Sequence, residues 1–209
     1  MSGKFGFFLY ICVFLLFAIL NILLTIVEPD LRYRLLMENG PIELFSALMY
    51  FVCFFLLIIG DDRKRFRYVI IIFLFLGFRE LDFHNRFTEI SLTSTKFFFS
   101  PEVSFFAKAV GILLAFFFLF SIFRVIKSHF SNLYGAIKGK KLYALGVPFG
   151  IFLMICSILI DGLQRKLGSF SISADEFIID FAKGLEETME LAIPMFFFLS
   201  IVFYLSKPD

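Results

Sequence analysis

Histidine and cysteine are scarce in this sequence, with two of the first and three of the second in 209 residues. Cys12, Cys53 and Cys156 all fall inside apolar runs. Packing is therefore their expected role, and they show neither zinc spacing nor a redox-compartment signal. There is no His-Glu-x-x-His, and Glu80-x-x-x-His84 is the nearest approach to the paired Glu-x-x-His of di-iron bundles. No aromatic-basic patch stands outside the apolar segments, which leaves nucleic-acid binding without support. No small-x-small cleavage site follows the first apolar run, only Glu28-Pro29-Asp30, so residues 5–27 are expected to be an uncleaved first helix. No internal repeat is visible.

Apolar residues are abundant: 60% of the chain is hydrophobic, with 35 Phe and a mean hydropathy of +0.90. Soluble domains are usually about 45–50% apolar. Several uncharged runs approach the roughly 20 residues that cross a hydrocarbon core of about 30 Å, so the expected fold class is all-α, a polytopic transmembrane helical bundle. Six spans in a single domain over 1–209 are predicted, at about 5–27, 42–60, 68–87, 103–123, 142–160 and 186–205. Asn39-Gly40-Pro41 reads as a turn with proline at a helix start, and Ser100-Pro101-Glu102 as an N-cap, an N1 proline and a first-turn acid. Ser173 and Glu176 have capping-box spacing, and a helix from there could reach Leu205, broken near Gly184 or kinked at Pro194. The stretches 28–40, 124–141 and 162–170 read as connections, and small-residue seams for helix pairing look sparse.

Six spans place both termini on one side. That side carries Lys4, the four basic residues of loop 61–67, the five of loop 124–141 and Lys207, eleven in all against nine opposite. The positive-inside rule then makes both termini cytoplasmic. With compact loops and no cleavable signal, the expected location is a bacterial inner membrane. Of the 18 acids, all but Asp61, Asp62 and Asp209 lie toward the outer face.

The most informative stretch is Phe78-Arg79-Glu80-Leu81-Asp82-Phe83-His84-Asn85-Arg86. The uncharged run before it, 68–78, covers only about 16 Å of helix. A full span must continue through the charges, which places Glu80 about 20 Å from Arg67, Asp82 about 23 Å and His84 about 26 Å. Ionisable groups at that depth face a protein interior or a water cavity. Counted the same way, Glu43, Asp161, Glu186, Glu187 and Glu190 sit near the outer face, which describes an acidic vestibule narrowing toward Glu80. Helical spacing puts Glu80 with His84, Asp82 with Arg79 and Arg86, and Glu190 with Glu186 and Glu187. The expected working residues are Glu80, His84, Glu43, Asp82, Glu187 and Glu190, with Arg79 and Arg86 as charge partners. The bland alternative is that such flanks snorkel to water, or form an ion-pair network that only holds helices together.

Three kinds of chemistry fit. Carboxylates and an imidazole in low dielectric can bind a small cation or protons, and such binding coupled to transport is the favoured expectation. Glu80, His84, Glu187 and Glu190 could instead hold a divalent metal for hydrolysis of a lipid at the outer leaflet. A non-catalytic membrane subunit is the third reading. Motifs of intramembrane enzyme families are missing. There is no His-x-x-x-His near the C-terminus as in the ceramidase and adiponectin-receptor group, and no Gly-x-Ser-Gly of rhomboids. Leu191 stands where the Glu-Glu-x-x-x-Arg of prenyl-protein proteases would require arginine after Glu186-Glu187.

Overall fold

The computed structural model describes residues 3–37, 40–81, 100, 103–169 and 175–206. Among these residues the chain is helical and has no strand. The helices are α1 (Gly3–Ile26), α2 (Pro29–Leu36), α3 (Pro41–Ile59), α4 (Arg67–Glu80), α5 (Phe105–Lys138), α6 (Leu142–Ile160), α7 (Leu163–Ser169) and α8 (Glu176–Leu205). Five stretches are long and apolar enough to cross a membrane: α1, the α2–α3 stretch, α5, α6 and α8. They mark the chain as a helical membrane protein.

The sixth expected span, 68–87, is described only as far as Leu81. Its helix α4 has 14 residues and is about 21 Å long, short of a full crossing. Asp82, His84 and Arg86 lie outside the described residues. Two stretches read as connections contain short helices. In α2, Pro29 supplies the pre-set first helical residue, and α7 follows the turn at Gly162. That glycine has a φ of +60°, a conformation that side chains with a Cβ rarely adopt, and it ends α6.

The expected basic loop 124–141 is helix as far as Lys138. Hydropathy marks where the chain leaves hydrocarbon, and nothing at Arg124 stops backbone hydrogen bonding. The N-cap of α5 is Ser104, whose side chain accepts from the Ala107 amide, rather than Ser100. For α8 it is Asp175, without a side-chain cap bond. The proline at the start of α3 follows Gly40 as expected.

Helix α8 is the hub. It packs against α1, α3 and α6, while α4 packs against α3 and α5. One apolar cluster joins Tyr10, Phe17 and Leu24 of α1 to Leu191, Ala192, Phe196 and Phe203 of α8. A second joins Tyr50, Cys53 and Leu57 of α3, Phe73 and Leu76 of α4, and Ile193 and Ile201 of α8. By contrast, α5 leaves Ile112, Leu113, Phe116, Leu119 and Phe123 exposed, a surface suited to lipid.

The expectation that small-residue seams are sparse is overturned at α6. Gly146-x-x-x-Gly150 lies against α8, where a Cβ on Gly146 would collide with the Phe196 carbonyl and the Ser200 hydroxyl. A Cβ on Gly150 would press on the Phe197 ring. In a bilayer, close backbone approach replaces the hydrophobic effect as the drive for helix pairing, and small residues permit it. At the same junction the Tyr10 hydroxyl donates to the Leu142 carbonyl at 3.1 Å and lies 3.2 Å from Ser200 Oγ, which links α1, α6 and α8.

Candidate functional site

The site begins with a proline. In an α-helix the carbonyl of residue 190 would accept from the amide of residue 194. Residue 194 of α8 is proline and has no N–H. The Glu190 carbonyl is taken instead by the Ser46 hydroxyl of α3, at 3.3 Å. Two turns further along α3, the Cys53 thiol faces the Pro194 carbonyl at 3.7 Å. Ser46 and Cys53 are both almost fully buried, so this seam is dry.

The side chain of Glu190 is held from two other helices. Its Oε1 accepts from Arg79 Nη2 of α4 at 2.9 Å and from the Ser157 hydroxyl of α6 at 3.1 Å. Glu190 of the central helix therefore receives hydrogen bonds from α3, α4 and α6. Arg79 also faces its neighbour Glu80 at 3.9 Å. Glu80 is the most enclosed of these acids, with 5% of its surface exposed, and the Ser46 hydroxyl faces its carboxyl. Arg79 shares its charge between two carboxylates while about half of its own side chain stays exposed.

Around this core stand further acids. Glu43 of α3 is within electrostatic reach of Glu80 and Glu187, and Glu187 of Glu186 and Glu190. Asp161 and Glu186 face one another across the α6–α8 boundary, with Lys166 and Lys183 nearby. Lys166 itself donates to the Ile158 and Leu159 carbonyls at the end of α6, and so caps that helix.

The structure thus brings together Arg79, Glu80 and Glu190, with Glu43 and Glu187 at the edge of the group. Asp82, His84 and Arg86 are outside the described residues. Among the described residues, no three His, Cys, Asp or Glu side chains are grouped as metal ligands. Sequence reasoning overlooked Ser46 and Ser157. The signal for Ser46 was available: a glutamate four residues before a proline in one helix leaves a carbonyl that needs a donor. Ser157 carried a weaker one, as the single serine in the apolar run 142–160.

No family model, characterised protein or solved structure matches this chain.

Proposed function

We propose that the protein takes up a proton or a small cation at the Arg79–Glu80–Glu190 cluster, reached from the face carrying Glu43, Glu186 and Glu187, and that this uptake is coupled to transport. One observation carries the reading. A single guanidinium serves two carboxylates, one of them almost fully buried. Fully ionised, the three groups sum to one negative charge, which is costly in low dielectric. One proton or one monovalent cation makes the group neutral.

The Ser46 hydroxyl stands between the Glu190 carbonyl and the Glu80 carboxyl, and it has one hydrogen for the two. The charged or titratable groups near Glu80 are Arg79 on its own helix, Tyr50 and Glu43 from α3, and Glu190 from α8.

In this reading α4 is a sixth, short crossing that carries Arg79 and Glu80 toward the outer leaflet. Both termini are then cytoplasmic, in a bacterial inner membrane. The structural-network alternative has its own support, because Glu190 ties three helices to α8. The metal-hydrolase alternative depends on His84.

The test is infrared titration of the carboxyl C=O stretch in the purified protein, beside proton flux in liposomes under an imposed pH gradient. A carboxyl band that appears on acidification in the wild type, and is lost in Glu80→Gln together with flux, supports the proposal. A titrating band without flux leaves proton binding and removes the transport step. A spectrum without a band lost in Glu80→Gln or Glu190→Gln makes the cluster a fixed structural network. Near-stoichiometric metal, lost in Glu80→Gln and His84→Ala, would favour the hydrolase.

A further inference from the structure

A second polar arrangement lies at the opposite end of α4, remote from the carboxylates. Arg67 is the first residue of α4, and its guanidinium carbon lies 4.8 Å from the centre of the Tyr68 ring. Arg124 of α5 lies 5.3 Å from the centre of the same ring. Two cations are thus gathered on one phenol from two helices. Neither forms an ion pair among the described residues, where the ion pairs are Arg32 with Asp180 and Arg79 with Glu80 and Glu190. Asp62, in the preceding loop, is engaged by the Tyr204 hydroxyl at 2.6 Å. Each cation–π contact offsets part of the repulsion between the arginines, but not their joint need for an anion.

The depth of the pair identifies the anion's source. Arg124 is 19 residues beyond Phe105, about 29 Å along α5, which is close to the hydrocarbon thickness. The pair therefore sits at headgroup level, where α5 leaves the membrane. From the Tyr68 ring an aromatic stripe runs back into the hydrocarbon. Phe120 meets Tyr68 edge-on with centroids 6.0 Å apart, and Phe116, one turn away, stacks on Phe120 at 6.4 Å. Phe116 and Phe120 are both exposed on the surface of α5. A charged clamp above an exposed apolar track has the shape of a phospholipid.

We propose that Arg67 and Arg124, braced on Tyr68, bind the phosphate of an anionic phospholipid whose acyl chain lies along Phe120 and Phe116. Arginine suits this role because its planar fork makes paired hydrogen bonds to phosphate oxygens. Lys127, one turn beyond Arg124, adds charge at the same level.

The experiment uses the full chain in neutral-lipid nanodiscs and compares binding of phosphatidylglycerol with phosphatidylcholine of matched chains. The wild type should prefer the anionic lipid by roughly tenfold or more. The Arg67→Gln/Arg124→Gln double variant should lose that preference, with Arg124→Gln alone serving if the double variant does not fold. Arg63→Gln/Lys64→Gln removes the same charge from the neighbouring loop and should retain the preference. Tyr68→Leu keeps both cations but removes their brace, and should lower the preference at least threefold. Equal losses in the loop variant and the arginine variant, or full preference in Tyr68→Leu, would overturn a built site in favour of general charge density. Displacement of the lipid by millimolar inorganic phosphate would show a site for free phosphate and overturn the lipid assignment.

Discussion

The Ser46 hydroxyl donates to the backbone carbonyl of Glu190, 3.3 Å away, in place of the amide that Pro194 lacks. A side chain on one helix thereby repairs a hydrogen bond missing from another, and the repair fixes where Glu190 stands. Ser46→Ala should cost about 1 kcal/mol, since interhelical bonds in membranes average below that and a buried orphan carbonyl adds to the loss. The sharper measurement is a double-mutant cycle with Pro194→Ala, read by unfolding in detergent. Restoring the amide at position 194 should make Ser46→Ala less costly, leaving only the loss of its contact with Glu80. Additive losses would mean that the hydroxyl does not serve this carbonyl.

Charge asymmetry in the cluster gives an ordered pair of outcomes. Glu80→Gln takes the sum over Arg79, Glu80 and Glu190 from one negative charge to neutral, so the fold should hold. Arg79→Gln takes it to two negative charges and removes the donor to Glu190 Oε1. Breaking a buried pair costs about 3–5 kcal/mol and an exposed one about 0–1, and Arg79 is half-exposed, so a loss of about 1–3 kcal/mol is expected. Thermal unfolding of the two variants side by side checks the order. A Glu80→Gln protein less stable than Arg79→Gln would show that the cluster does not carry excess negative charge.

Gly146→Ala should separate α6 from α8. The new methyl meets a backbone carbonyl and a buried hydroxyl, neither at the end of a flexible chain, so overpacking of about 1–3 kcal/mol is expected. Gly135 in α5 is the control, with nothing within 4 Å of a Cβ there. Gly135→Ala should be neutral or stabilising by up to about 1 kcal/mol through helix propensity alone. Similar stability in the two variants would argue against close packing over Gly146.

The helical membrane class could be read directly, because apolar runs of about 20 residues have few other uses. Helix ends were less legible. Hydropathy falls at Arg124 while the helix continues to Lys138, and the eight residues of α2 are too few to show a pattern. Arg79, Glu80 and Glu190 stood out as charges in apolar surroundings. Their partners did not, since the Arg79–Glu190 pair spans 111 positions and depends on which helices are neighbours. Ser46 and Ser157 are small, neutral residues within apolar runs, and their importance comes from what faces them. The Gly146-x-x-x-Gly150 seam was present in the sequence, but a spacing of two glycines says nothing until a partner backbone arrives.

The central place of α8 also sets an order of assembly. Asn21, Ser46 and Ser157 are buried, and the contacts that enclose them involve Gly184 and Glu190, on a helix made after all three. Until that helix enters the bilayer, the earlier spans carry hydroxyls and an amide without their native neighbours, and α1 and α3 have no extensive contact with α6. In the nascent protein α3, α4 and α5 can therefore pack on one another early, while α1 and α6 are joined to them only when α8 arrives. A ribosome stalled before residue 176 would leave α1 and α6 with little to hold them to the α3–α4–α5 group.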